Sequence, residues 1–226
     1  MINKIKLLEG EQLDDLLIDD RKIIQNKNLY MFTSDSVRLA NFVKIKPSDK
    51  VCELCSGSGI ISILLALKQM PSLINLVEIQ PELASMSERS ILLNGFEEKL
   101  NVINAPLQNI SKQIGQGEYS VVVCNPPFEK TPINIQNKSQ QIARSEVTVT
   151  LSEITLEASR LLKFGGAFYM CIPSSRYVEA CVQLNKNNLE VKETTFLLNK
   201  DDSCRLALLK AVKGGKSEVK IKAIKE

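Results

Sequence analysis

Short apolar segments alternate with helical patterns from residue 50 onwards, and this alternation limits the possible folds more than any other feature. Apolar runs predict strands at 50–54, 74–78, 100–103, 121–124, 167–172, 189–197 and 204–209. Helical patterns occupy 60–69, 81–94, 150–162 and 174–187, and Gly165 with Gly166 is expected to end the third of them. Such alternation is typical of a parallel, doubly wound sheet. We predict an α/β fold with a mostly parallel, seven-stranded sheet whose last two strands form an antiparallel hairpin.

The length of the chain, 226 residues, is compatible with one domain and short appendages. We assign residues 49–212 to the α/β domain and residues 1–48 to an N-terminal extension that packs on it. In the extension, residues 11–18 predict an acidic amphipathic helix, and Ser34, Asp35 and Ser36 predict the cap of a second short helix. Residues 213–226 form a lysine-rich tail, which is expected to fray or to follow the phosphates of a nucleic acid.

The composition excludes several kinds of chemistry. The chain has no histidine, which rules out imidazole general bases, Ser-His-Asp triads and histidine-ligated metals. It has no tryptophan, so any stacking contact must come from a few Phe and Tyr side chains. The formal charge of +3 is compatible with a nucleic-acid partner but does not require one.

The six cysteines lie mostly in apolar segments, and we expect them to be buried, reduced thiols. Cys52 and Cys55 form a lone C-x-x-C without a second pair, so no metal site is expected. Acidic residues occur too early in the sequence for a signal peptide, and no apolar run approaches the roughly 18 residues of a membrane span. These features predict a soluble, cytoplasmic protein without a membrane partner.

A loop of small residues, Ser56-Gly57-Ser58-Gly59, joins the first strand of the α/β region to its first helix. Its glycines let backbone N–H groups approach a ligand at a helix N-terminus, although the full G-x-G-x-x-G spacing is absent. A tight turn without a ligand is the alternative. Glu78 ends the next strand, where α/β nucleotide-binding proteins place an acid that holds ribose hydroxyls. The two features together favour an adenosine-type cofactor over a plain turn.

The sequence Asn125-Pro126-Pro127-Phe128 follows the apolar run VVVC directly, at the expected carboxyl end of the fourth strand. Ligands bind at this edge of an open α/β sheet. The two prolines fix the backbone and remove two donors, so that the Asn and Pro carbonyl groups can act as acceptors. Phe128 adds a flat apolar face. Such a site suits a planar group that carries an NH₂.

These segments resemble the class I S-adenosylmethionine-dependent methyltransferases of the N-P-P-[YF] group, which methylate planar nitrogen atoms. ELCSGSG is similar to the first cofactor motif, Glu78 to the acidic second motif and NPPF to the catalytic fourth motif. Within this group the chain is most similar to the tRNA adenine-N6 methyltransferases that modify adenine 37 of valine tRNA. EQLDDLL, FTSDSVRLANF, the segment 143–146 and the end of the chain carry this closer resemblance.

The resemblance implies S-adenosylmethionine as cofactor and a tRNA as substrate. The cofactor-binding residues would be Glu53, Cys55, Ser56, Gly57, Ser58, Gly59, Glu78, Ile79, Asn104, Ala105 and Asn125. The catalytic residues would be Asn125, Pro126, Pro127 and Phe128. In the polar loop 129–149, Lys130, Lys138 and Arg144 are candidates for contacts with RNA phosphates.

The chain departs from the family pattern at several positions. Cys55 and Ser56 lie near a position where many class I enzymes have glycine, and Glu53 replaces the usual Asp. Asn104 follows the third strand, where an Asp commonly accepts from the cofactor adenine. Phe128, in place of Tyr, is shared with the ribosomal-RNA guanine-N2 methyltransferases, which leaves the target base open.

Three alternatives remain from the sequence. Guanine-N2 methylation of ribosomal RNA and glutamine methylation of a protein release factor would keep the cofactor and change the acceptor. An RNA-binding protein without turnover would keep only the fold. The short N-terminal extension and its resemblance to the tRNA enzymes favour tRNA adenine.

Overall fold

The computed structural model describes residues 5–127, 139 and 149–225. Its strands are β1 (Glu11–Asp15), β2 (Lys22–Asn26), β3 (Lys50–Leu54), β4 (Leu73–Glu78), β5 (Leu100–Asn104), β6 (Tyr119–Cys124), β7 (Leu162–Pro173), β8 (Leu189–Leu198), β9 (Cys204–Lys213) and β10 (Lys220–Lys225). Its α-helices are α1 (Ser34–Phe42), α2 (Ile60–Gln69), α3 (Pro81–Asn94), α4 (Ile110–Ile114), α5 (Leu151–Leu161) and α6 (Tyr177–Lys186). A 3₁₀ turn, Ser174–Arg176, precedes α6.

The main sheet of the described chain has eight strands in the order β10-β8-β9-β7-β6-β3-β4-β5. Strands β3 to β7 are parallel to one another, whereas β9 is antiparallel to both β7 and β8. The chain runs outward from β3 through β4 to β5 and then returns to β6 on the other side of β3. This reversal of strand order, next to β3, is where doubly wound sheets open a crevice for ligands.

Both faces of the sheet are covered, which explains why its central strands are almost entirely apolar. On β6, Val121 and Val123 belong to one core with α1 and α2, while Val122 and Cys124 belong to the other core with α4, α5 and α6. All four side chains are buried. The alternation of side chains along a strand therefore divides one apolar run between two hydrophobic cores.

The two helices next to the crevice begin and end as the sequence predicts. Helix α2 covers the predicted residues 60–69, and α3 covers 81–94, with Pro81 in its first turn and Gly95 in the left-handed conformation after its last. Gly59 precedes α2 with φ +80°, and a Cβ there would lie 3.0 Å from Leu76 Cδ2. Glycine is thus required where the chain turns from β3 into α2.

The predicted helix at residues 11–18 is wrong, because this segment forms the first strand of the antiparallel hairpin β1–β2. Its apolar spacing fits a helix, but Leu17 is left 91% exposed and takes a positive φ. Tertiary contacts favour the hairpin instead. Glu11 accepts two hydrogen bonds from the Arg89 guanidinium of α3 at 2.5 and 2.6 Å, and Ile24 in β2 is fully buried and donates its N–H to Ser90 Oγ at 3.0 Å.

The second predicted helix of the extension is present as α1, which packs beside α2 on the sheet. Its N-cap is Thr33, so Ser34, Asp35 and Ser36 form the first turn rather than the cap. Asp35 pairs with the Arg205 guanidinium of β9 at 2.9 and 3.1 Å. This ion pair joins the first turn of α1 to the main sheet.

Other differences lie in the C-terminal half. A capping box of Thr150 and Glu153 begins α5, but this helix ends at Leu161, and Gly165 with Gly166 lies within β7 instead of ending the helix. The short helix α4 was not predicted, since five residues give no clear period. The seven predicted strands are all present, and the tail expected to fray adds β10 as an eighth, parallel to β8. None of the helices in the described part of the chain has the length and apolarity that a membrane crossing requires.

Candidate active site

A cavity of about 750 Å³, counting the space open to solvent, lies at the carboxyl ends of β3, β4 and β6. Its lining comes from the β3–α2 loop, the end of β4, the residues after β5 and β6, and the segment between β2 and α1. The lining residues are Tyr30, Phe32, Ser36, Glu53, Cys55, Ser56, Gly57, Ser58, Ile60, Ile61, Val77, Glu78, Ile79, Gln80, Leu83, Ala105, Leu107, Gln108, Asn125, Pro127 and Val149. The position of the cavity agrees with the crevice expected from the strand order.

The β3–α2 loop is held in a compact turn against β4. Cys55 and Gly57 have φ values of +57° and +56°. The N–H of Ser56 donates to the Val77 carbonyl at 3.0 Å, and the N–H of Gly59 donates to the Ser56 carbonyl at 2.9 Å. Ser87 of α3 donates its hydroxyl to the Gly57 carbonyl at 2.9 Å. The loop is therefore fixed before any ligand arrives, with the N-terminus of α2 directed at the cavity.

Two hydroxyl groups of this loop are buried without a hydrogen-bond partner among the described residues. They are Ser56 Oγ and Ser58 Oγ, and both residues line the cavity. Leaving a buried hydroxyl unpaired costs roughly 1–3 kcal/mol. Such a cost is acceptable where a bound ligand supplies the missing hydrogen bond.

Two carboxyl groups, those of Glu53 and Glu78, face the same cavity and are almost completely buried. Glu53 accepts from the N–H of Ser62 at 3.0 Å and from its hydroxyl, and Glu78 accepts from the N–H groups of Gly57 at 2.8 Å and Gln80 at 2.9 Å. Burial raises the pKa of Glu53 to about 8, against the lowering effect of the two Ser62 hydrogen bonds. Burial also raises the pKa of Glu78. A cationic ligand in the cavity would oppose both shifts.

Asn125 is the first residue after β6, and both polar atoms of its side-chain amide make hydrogen bonds. Its Nδ2 donates to Ser36 Oγ of α1 at 2.8 Å, and its Oδ1 accepts from the Cys171 thiol of β7 at 3.0 Å. Pro126 and Pro127 are buried, and Pro127 lines the cavity beside Asn125. The rigid turn therefore presents an amide group of fixed orientation at the mouth of the crevice.

The structure brings most of the predicted cofactor residues into this one cavity. Glu53, Cys55, Ser56, Gly57, Ser58, Glu78, Ile79, Ala105 and Asn125 all line it, as does Pro127 of the predicted catalytic group. Gly59, Asn104 and Pro126 do not line it. The Asn104 amide instead donates to the Glu78 carbonyl at 2.8 Å, which makes it a support for the end of β4. Phe128, Lys130, Lys138 and Arg144 lie outside the described residues.

Sequence reasoning missed the contribution of the N-terminal segment. Tyr30 and Phe32 place aromatic rings in the cavity wall, and Ser36 contacts Asn125. A Cβ on Gly57 would lie 3.8 Å from the Tyr30 ring, so this ring borders the β3–α2 loop. The resemblance of FTSDSVRLANF to the tRNA enzymes was the one signal in the sequence for this contribution. It does not show that this segment contacts NPPF, because the two are far apart along the chain.

The cysteines near the cavity are free thiols. All six are free, and Cys52, Cys124 and Cys171 are buried, while the other three are partly exposed. Among the residues that the structure describes, no group of three or more Cys, Asp or Glu side chains could hold a metal ion. Burial raises the pKa of Cys171 well above its ordinary value, so this thiol remains a proton donor at neutral pH.

The arrangement suits a ligand with several distinct parts. Two buried carboxyl groups favour positive charge and accept from hydroxyl or amino groups. The unpaired serine hydroxyls and the N-terminus of α2 favour an anionic or acceptor group. The amide of Asn125 can accept a hydrogen bond from a planar amine at the open side of the cavity.

The family model for the methyltransferase small domain matches residues 34–196, most of the chain. Curated relatives include proteins named tRNA1(Val) (adenine(37)-N6)-methyltransferase. The relative from Dyadobacter fermentans is 22% identical over 149 residues, which cover 65% of this chain and 61% of the relative. The relative from Shewanella sediminis is 23% identical over 166 residues, covering 72% and 68%. The chain thus matches only about three fifths to two thirds of the length of these relatives.

Solved structures share the fold at low sequence identity. A predicted O-methyltransferase from Agrobacterium tumefaciens has a TM-score of 0.67 at 17% identity, covering 84% of this chain and 85% of that chain. A geranyl diphosphate C-methyltransferase from Streptomyces coelicolor, solved with S-adenosyl-L-homocysteine, has a TM-score of 0.59 at 14% identity, covering 78% and 79%. The sheet order, the crevice next to β3 and the family match lead to one conclusion: the chain belongs to the methyltransferase small domain family.

Proposed function

We propose that this chain is an S-adenosylmethionine-dependent methyltransferase that modifies an exocyclic amine, adenine N6 at position 37 of valine tRNA. The observation that carries the proposal is the position of Asn125. It lies directly after β6, in the wall of the same cavity that contains Glu53 and Glu78. The names of the curated relatives support the choice of tRNA adenine over other acceptors.

The residues of the cavity fit the proposed cofactor. S-adenosylmethionine supplies an activated methyl group on a sulfonium. Glu78, at the end of β4, offers two carboxylate oxygens to ribose hydroxyls. The unpaired hydroxyls of Ser56 and Ser58, with the N-terminus of α2, suit the carboxylate of the amino-acid part, and the buried carboxyl of Glu53 suits a positive charge.

Toward the acceptor, the role of this chain is to position the amine that receives the methyl group. The Asn125 Oδ1 accepts a hydrogen bond from the exocyclic amine, which turns the nitrogen lone pair away from the ring and toward the methyl donor. The amine proton leaves to solvent after transfer, so no histidine base is required. Tyr30 and Phe32 offer aromatic faces in the cavity wall, and the Phe128 ring, next after Pro127, is proposed to stack on the target base.

An anticodon-loop adenine must leave its stack to reach the cavity, which costs a few kcal/mol. Stacking on an aromatic side chain returns roughly 1–3 kcal/mol per base. The remaining free energy for unstacking would come from contacts with RNA phosphates. The proposed residues for these contacts are Lys130, Lys138 and Arg144.

The proposal is tested by transfer of labelled methyl from S-adenosylmethionine to a panel of acceptors. The panel contains unmodified valine tRNA, ribosomal RNA and a protein release factor, and the labelled products are digested and identified. We expect N6-methyladenosine in the tRNA alone. N2-methylguanosine in ribosomal RNA, or methylglutamine in the release factor, would show that the acceptor is not adenine 37 of the tRNA. A folded protein that labels none of the three would contradict the proposed activity.

A further inference from the structure

The Asn125 amide makes two hydrogen bonds to parts of the chain that are distant in sequence. Its Nδ2 donates to Ser36 Oγ, 89 residues earlier, at 2.8 Å, and its Oδ1 accepts from Cys171 Sγ, 46 residues later, at 3.0 Å. Neither partner belongs to the Asn-Pro-Pro turn. Both Ser36 and Cys171 are buried, with exposed fractions of 3% and 0%.

The Cys171 thiol determines which way the amide faces, and the Ser36 hydroxyl holds the other end of it. A thiol is a weak donor and a poor acceptor, so Cys171 favours the amide oxygen over the amide nitrogen. Burial keeps this thiol protonated. An amide oxygen has two lone pairs, so the bond from Cys171 leaves one of them for an incoming amine. Rotation of the amide by half a turn would place the NH₂ group against the thiol sulfur, a weak acceptor, and so lose the bond to Cys171. The Ser36 hydroxyl could still donate to the rotated amide oxygen, so Cys171 is the partner that sets the orientation.

The two partners are themselves held in place by the sheet. Cys171 lies in β7 and pairs with Leu208 of β9. Ser36 lies in the first turn of α1, next to Asp35, whose carboxylate binds the Arg205 guanidinium of β9 at 2.9 and 3.1 Å. Strand β9 therefore anchors both sides of the contact, and the N-terminal segment completes the environment of Asn125.

We propose that Ser36 and Cys171 are positioning residues that hold the Asn125 amide with Oδ1 toward the acceptor amine. The inference rests on the proposed role of Asn125 in binding that amine. Fixing the orientation before the substrate arrives removes the cost of ordering the amide during the reaction. The effect should fall on turnover, because Ser36 and Cys171 hydrogen-bond to Asn125. The carboxyl groups proposed to bind the cofactor accept from other residues, Ser62 for Glu53 and Gly57 with Gln80 for Glu78.

The test compares four variants by kcat, KM for the RNA and Kd for S-adenosylmethionine. Cys171→Ala and Ser36→Ala each remove one hydrogen bond and are expected to lower kcat by about 10- to 100-fold with little change in Kd. Cys171→Ser keeps a donor and should recover most of the lost turnover. Cys52→Ala removes a fully buried thiol from the neighbouring region of the same sheet and should retain wild-type kcat.

A second readout does not depend on turnover. In protein labelled with ¹⁵N-asparagine, the side-chain amide signals of Asn125, assigned by their loss in Asn125→Ala, should shift in Cys171→Ala and Ser36→Ala but not in Cys52→Ala. Wild-type kcat in Cys171→Ala, or equal kcat in Cys171→Ser and Cys171→Ala, would overturn the inference and leave the proposed function intact. Wild-type protein that methylates no acceptor would instead overturn the proposed function and this inference with it.

Discussion

At the scale of single residues, the buried carboxyl of Glu53 is the most unusual group in the cavity. It lies in β3, an inner strand of the sheet, and is 1% exposed, and its hydrogen bonds to Ser62 only partly offset the cost of burial. Its pKa rises to about 8 for this reason, so the group retains its proton at neutral pH in the free protein. A positively charged ligand beside it would lower this pKa.

Because its pKa in the folded protein lies above the ordinary value of 4.5, the folded protein keeps a proton that the unfolded chain releases. The resulting stabilisation is complete below about 4.5 and is lost as pH rises through about 8. We expect Glu53→Gln to remove this part of the pH dependence, so that the variant gains stability relative to wild type between these limits.

Urea unfolding at several pH values measures this effect. Glu88→Gln, which removes an exposed carboxyl group from α3, is the control and should keep the wild-type slope of stability against pH. Parallel pH curves for wild type and Glu53→Gln would show that Glu53 is not protonated in the folded state.

At the scale of helices and strands, the sequence predicts the elements that carry their own local signals. Helices α2 and α3 have clear apolar periods and end signals, and the turn at Asn125 follows an unmistakable buried strand. The hairpin β1–β2 was missed because the spacing of its apolar residues is that of a helix. The contacts that favour the hairpin join Glu11 and Ile24 to α3, which is distant in sequence. Strand β10 was missed because a lysine-rich segment gives no apolar pattern.

The capping box at the start of α5 allows a quantitative test at this scale. Thr150 Oγ1 accepts from the Glu153 N–H at 3.3 Å, and the Glu153 carboxylate accepts from the Thr150 N–H at 2.7 Å. We expect Thr150→Ala to lower the free energy of unfolding by about 1 kcal/mol. Ser152→Ala, an exposed change in the same turn, should have little effect. Equal urea midpoints for Thr150→Ala and wild type would contradict the importance of this cap.

At the scale of the whole molecule, the site is assembled from both halves of the chain. The loop after β3, the turn after β6 and the segment before α1 meet at one cavity, and β9 anchors α1 through Arg205. The sequence could locate the first two, since each follows a recognisable strand. It could not place Ser36 or Cys171 beside Asn125, because that proximity results from packing α1 against β7.

The far edge of the sheet should be less stable than its center. All six residues of β10 are exposed, and its lysines form surface ion pairs such as Lys225 Nζ with Asp202 Oδ1 at 2.8 Å. Exposed ion pairs contribute little to stability. In native-state hydrogen exchange we expect β10 amides to exchange by local opening, much faster than the amides of β3 and β6. Equal protection across the sheet would show that β10 unfolds only with the core.

The most direct test of the account is methyl transfer to unmodified valine tRNA by wild type and Asn125→Ala, with the product nucleoside identified. The same tRNA with guanine in place of adenine 37 is the substrate control, and Asn41→Ala, an exposed asparagine in α1, is the protein control. We predict N6-methyladenosine with wild type and Asn41→Ala, a loss of about 100-fold or more in Asn125→Ala at unchanged cofactor affinity, and no product with the guanine tRNA. Full activity in Asn125→Ala, or an equal loss of cofactor binding, would contradict the role of Asn125 in holding the acceptor amine.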